Sequence, residues 1–180
     1  STTTGDPLII GKNAGIGYTG QYAYALGNNS GNNIKGDYNM FLGYNSGGYQ
    51  AAGTKTGTYN LAIGSYSGYF LTSGSRNVLI GSGDELLSVG SVISSGNDNT
   101  LLGYAAGSQI RLGSYNTLIG SNAGANITSG INNLILGYSS GFNLNNGSNN
   151  VSLGPYSGFN LQGGIGNIYT GYQAGYSTTN

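Results

Sequence analysis

The sequence predicts an all-β chain wound as a parallel β-solenoid or β-roll of about ten coils of roughly 17 residues each. Three observations carry this. A marker glycine recurs at Gly11, Gly27, Gly43, Gly64, Gly81, Gly103, Gly120, Gly137, Gly154 and Gly171, at intervals of 16, 16, 21, 17, 22, 17, 17, 17 and 17 residues. The residues around it repeat: Ile or Leu precedes it in nine of ten copies, Asn lies four residues before it in eight, and a second Gly lies four after it in nine. That register marks a repeat architecture rather than a disordered linker. Finally, 36 of the 180 residues are Gly, a density that opposes helix at about 1 kcal/mol per residue relative to Ala.

Each coil opens on a short apolar run, as in Leu8-Ile9-Ile10, Met40-Phe41-Leu42, Val78-Leu79-Ile80 and Leu134-Ile135-Leu136. Such runs, rich in aliphatic residues and bounded by Asn and Gly, read as strands. A second short strand is expected after the second Gly, as at Phe142-Asn143-Leu144 and Phe159-Asn160-Leu161, and a turn at Gly130, Gly147 or Gly164 closes the unit. Stacked in register at about 4.8 Å per coil, ten coils make a rod roughly 48 Å long. The repeated Asn then forms an amide ladder or occupies left-handed turn positions. Ala106, Ala123, Ser140 and Ser157, just before the second Gly, suggest a tight inward corner.

The chain reads as one repeat domain, 1–180, with atypical coils or a cap over 1–38 and regular coils over 39–176. In the first two coils Pro7 and Ala23 stand where Asn is expected. Insertions fall near 51–57 and 84–98, and in solenoids insertions become loops on one face, often the binding face. Ser1-Thr2-Thr3-Thr4 reads like a cut edge, so a longer protein is expected around this chain.

Alternate residues of a strand face opposite sides. With the positions one and three before the marker taken as interior, the position between them faces out. It reads Ile9, Ala25, Phe41, Ala62, Leu79, Leu101, Leu118, Ile135, Ser152 and Tyr169. An outward apolar stripe of that length calls for association of identical rods, and cyclic symmetry provides it. Phe41, Leu79, Leu101, Leu118, Ile135 and Tyr169 are the expected interface residues.

The units Asn116-Thr117-Leu118-Ile119-Gly120-Ser121-Asn122-Ala123-Gly124 and Asn133-Leu134-Ile135-Leu136-Gly137-Tyr138-Ser139-Ser140-Gly141 resemble the Asn-Thr-x-Ile-Gly-Tyr-x-Ala-Gly repeats of phage-tail-fibre-like proteins. Those proteins often end in an endosialidase-type chaperone domain. More loosely, the units are similar to the heads of YadA-like trimeric autotransporter adhesins. The resemblance covers Leu8 to Tyr176. It implies a homotrimer, intertwined or side by side, in an extracellular fibre on a bacterial or phage surface that attaches to a target cell.

Chemistry beyond binding has little to stand on. There is no Cys or His, so the usual thiol nucleophiles and general bases are missing. Asp84, Glu85 and Asp98 are the only carboxylates spaced to cluster. A glycosidase needs two such groups across a cleft, and calcium needs several hard oxygens. Adjacent acids in a loop are ordinarily a solvated tip, however, so no enzyme, metal or cofactor is expected. Net charge is zero, against nucleic-acid binding, and no apolar run is long enough for membrane insertion. Among 16 Tyr and 4 Phe, most are expected in stacked ladders, while aromatics near the insertions suit a glycan. The candidate ligand-binding residues are Lys55, Asp84, Glu85, Asp98, Tyr49, Tyr66 and Tyr69, for a cell-surface polysaccharide or glycoconjugate. The competing expectation is a structural spacer with no ligand of its own.

Overall fold

The computed structural model describes residues 5, 7–48, 55–90 and 93–179. It is a parallel β-solenoid. Ten three-residue strands stack in chain order into one sheet: β1 (Leu8–Ile10), β2 (Tyr24–Leu26), β3 (Met40–Leu42), β4 (Leu61–Ile63), β5 (Val78–Ile80), β6 (Thr100–Leu102), β7 (Thr117–Ile119), β8 (Leu134–Leu136), β9 (Val151–Leu153) and β10 (Ile168–Thr170). Every pairing is parallel and in register, so equivalent repeat positions sit above one another, as at Leu101↔Leu118 and Leu118↔Ile135. No helix occurs among the described residues, and none is long and apolar enough to cross a membrane. The second strand expected at Phe142–Leu144 and Phe159–Leu161 is not formed. The chain there runs in consecutive turns, because Gly and left-handed residues at Ser139, Gly141, Tyr156 and Gly158 bend it too often for an extended run.

The Asn column holds the coils in register. Asn116 is representative. Its backbone N–H and its Nδ2 both donate to Oδ1 of Asn99, at 3.0 and 3.1 Å. The remaining Nδ2 hydrogen goes to the carbonyl of Gly130 in the following turn at 2.9 Å. Oδ1 of Asn116 in turn accepts both donors of Asn133. The pattern runs from Asn39 to Asn167, and from Asn39 to Asn150 these side chains are almost wholly buried. A buried amide is tolerable because its donors and its acceptor are all satisfied.

This ladder decides which way the strands face. Residues four and two before the marker lie on the same side of an extended chain. Since the Asn points inward, so does the middle residue of each strand. Phe41, Leu79, Leu101, Leu118 and Ile135 are core residues at 0–1 % exposure, and Tyr169 packs against the same core. They are therefore not an outer stripe, and the expected interface is corrected. The outward columns are the flanking positions, with Leu42 and Leu102 42 % exposed and Met40 and Leu134 38 %.

Facing the strand column across the interior is a second column, seven residues after the marker in the uninterrupted coils: Ile34, Leu71, Ile110, Ile127, Leu144 and Leu161, all buried. Small residues compensate for large neighbours. Ala62 lies beside Phe41, and Ser152 beside Tyr169. Ala106, Ala123, Ser140 and Ser157 are fully buried, as the expected inward corner requires. Ser30, Ser46, Ser67 and Ser140, one at this corner in each of four coils, donate to strand carbonyls of the following coil. In the coil after β5 the second Gly is Gly90 rather than Glu85. It has φ +53, and a Cβ there would press on Leu79, Ile93 and Leu101.

Two predictions follow from the stacking. Asn116→Ala orphans the Gly130 carbonyl and both donors of Asn133, so it should lower unfolding free energy by about 2–4 kcal/mol in a urea titration. Gly120 (φ +134) and Gly171 (φ +116) share a strained backbone, but a Cβ at Gly120 would lie 2.5 Å from the Gly137 carbonyl oxygen, whereas nothing lies within 4 Å at Gly171. Gly120→Ala should therefore destabilise clearly more than Gly171→Ala, read as the difference in Tm.

Candidate functional site

The positions singled out from sequence do not form one site. Lys55 belongs to the interior. It pairs in parallel with Ile34, stands in the aliphatic column between Ile34 and Leu71, and is 2 % exposed. Its ammonium donates to the carbonyl oxygen of Gly47, and no carboxylate faces it among the described residues. Burial alone pushes its pKa from 10.5 down to about 7. It is a core residue and not a surface ligand. The signal was present in the sequence, since Lys55 precedes Gly57 by two residues, as Ile34 precedes Gly36 and Tyr18 precedes Gly20.

Asp84 and Glu85 lie in the insertion after β5, which spans the chain between Gly81 and Val89. Asp84 folds the loop on itself, its Oδ1 accepting the backbone N–H groups of Leu86 and Leu87 at 2.9 and 2.8 Å. Those bonds stabilise the carboxylate, and the Asp84 pKa falls below the ordinary value. Leu86 and Leu87 are left exposed. Asp98 does not join this loop. It lies five residues before the next marker and takes a bidentate bond from Arg76 of the preceding coil, Nε–Oδ1 2.7 Å and Nη2–Oδ2 2.8 Å. The Arg76 guanidinium draws the Asp98 pKa down, and the pairing raises that of Arg76. Among the described residues no group of three His, Cys, Asp or Glu could hold a metal ion. The carboxylates thus divide between a loop and a ladder.

Tyr66 and Tyr69 do come together, with two residues that sequence reasoning left out. Tyr44, Tyr66, Tyr69 and Phe70 form a run of edge-to-face rings with centroid separations of 5.5, 5.1 and 4.8 Å. Tyr69 is buried and Tyr44 exposed, so the cluster has an inner wall and an outer rim. Burial raises the Tyr66 pKa, a hydrogen bond with Asn45 opposes it, and Tyr44 and Glu85 add to the rise. Ser88 Oγ donates to the Tyr66 carbonyl at 2.7 Å, tying the inserted loop to this corner. Tyr49 lies outside the described residues.

A matching aromatic corner occupies the last coils. Phe142, Phe159 and Tyr176 stack nearly parallel at 5.2 and 5.0 Å, flanked by Tyr138, Tyr156 and Tyr172. Beside the stack runs an amide ladder of Asn126, Asn143 and Asn160. On another corner Tyr22, Tyr38 and Tyr59 stack at 5.0 and 4.7 Å, with interplanar angles of 7° and 6°. They share a repeat position with Arg76, Asp98 and Tyr115, all with positive φ. That column could have been found by counting five residues back from each marker. The chemistry on offer is neutral hydrogen bonding beside aromatic edges.

Comparison with family profiles, curated proteins and solved structures returned no match.

The Lys55 geometry generates a pH test. Folding lowers its pKa, so between about pH 7 and 10.5 the unfolded chain binds more protons than the folded one. The penalty is full below about pH 7 and shrinks as pH rises. Stability should climb from pH 7 to 9, and Lys55→Met should flatten the profile and add several kcal/mol, about 5 at most, at pH 6. Urea midpoints across that range check both.

Proposed function

We propose that this chain is a non-enzymatic segment of an extracellular fibre, of adhesin or tail-fibre type on a bacterial or phage surface, acting as a homotrimer. Its role is attachment to a cell-surface target, and the target is a polysaccharide or glycoconjugate. The supporting observation is the side-chain chemistry of the corners. Exposed tyrosines run beside ladders of uncharged amides along the stacked coils. Sugars present hydroxyls around weakly apolar ring faces, and a neutral polar–aromatic surface is complementary to both. The overall neutrality of the chain suits a ligand held without charge.

One observation favours a second reading, a stiff spacer without a ligand. Phe142, Phe159 and Tyr176, like Tyr22, Tyr38 and Tyr59, spend their ring faces on one another, leaving mainly edges to solvent. Retention of the purified chain on immobilised polysaccharides and whole cells separates the two. The adhesive reading expects retention that barely changes with salt and falls about three- to tenfold in Tyr104→Ala or Tyr172→Ala, whose side chains are exposed. Uniform silence across neutral and anionic glycans and cells would leave the spacer.

A further inference from the structure

Among the described residues, the outer face of the ten-stranded sheet is left partly to fully exposed. Its two columns, three and one residues before each marker, are represented by Met40, Leu61 and Leu134 in the first and Leu42, Leu102 and Leu136 in the second. No charged side chain occurs in either. At exposures such as 42 % for Leu102 and 38 % for Leu134, these side chains present on the order of 1,000 Å² of largely apolar surface per chain. Monomers rarely leave more than a few hundred exposed in one patch, and a partner in a stable pair covers about 800 Å².

A second, independent observation is where the insertions fall. The intervals that contain them are 21 and 22 residues long, yet β3 to β6 stay in register without a bulge. After β5 the extra residues leave the coil beyond the marker, between Gly81 and Val89. That loop is tied to the tyrosine corner and interrupts no strand of the sheet.

We infer that this face is covered by the same face of further copies of the chain, which pack side by side along the fibre. The inference deepens the fibre reading and rests on it for the association of copies, but it places that contact on the flanking columns and not on the residues expected from sequence. A second copy fits because an uncharged, largely apolar face without a break in its strand pairing offers a partner mainly apolar contact, and another such face matches it in length, chemistry and strand spacing.

The test is solution mass with face-directed substitutions. The wild-type chain should sediment as an oligomer, and Leu102→Lys with Leu136→Lys should reduce its mass to one chain while retaining the β-sheet circular-dichroism spectrum. Tyr59→Lys, on a different corner, should leave the mass unchanged and controls for added charge. A threefold fall in mass upholds both face and trimer; a twofold fall upholds the face and overturns the trimer. A wild-type monomer, or an oligomer indifferent to both lysines, overturns the inference. If the double variant fails to fold, Leu102→Ser is used instead, and unchanged mass and dissociation constant would likewise overturn it.

Discussion

The asparagine ladder sets the terms for the rest of the structure. Each buried amide satisfies the coil before it and the turn after it, so no single Asn can leave without orphaning groups in two neighbours. Its spacing is that of the strands, and it keeps the coils at one pitch even where insertions change their length. Because the amides point inward, strand alternation turns the middle residue of every strand inward too. The identity of the core, the glycines that approach it and the apolarity of the outer face are consequences of that single orientation.

Within these limits the interior tolerates variation by local compensation. Ala62 accommodates Phe41, and Ser152 accommodates Tyr169, which keeps the cross-section filled while side-chain size changes from coil to coil. Lys55 is the departure. It replaces an aliphatic residue in the column that includes Ile34 and Leu71, and its amine finds only a backbone carbonyl. Desolvating an ammonium there is unfavourable, which is why the fold favours its neutral form.

The surface divides the rod into walls of different character. The sheet wall is largely apolar; the corners carry tyrosine stacks, amide ladders and the bidentate Arg76–Asp98 pair; the inserted loop after β5 stands against the tyrosine corner. Recognition and self-association would then use different walls of one rod, so neither need obstruct the other. A solenoid permits this because each repeat position becomes a continuous line along the axis.

The sequence by itself determined the fold class, the ten strands that precede the marker glycines and the inward Ala and Ser corners, since each depends on periodicity and on residue types with narrow backbone preferences, but it also suggested a second strand per coil that does not form. The Asn and both glycines were legible for the same reason. The direction of the strands was not. Apolar residues occupy all three strand positions, so hydrophobicity could not say which face is interior; only the packing of the amides and of the second Gly against Leu118 and its equivalents decided it. Nor could spacing from the preceding marker place Lys55, because the chain interval before it hides its register, or separate Asp98 from Asp84, which are close in sequence but belong to different walls. Neighbourhood in a solenoid runs between coils, and there only the tertiary structure shows which residues meet.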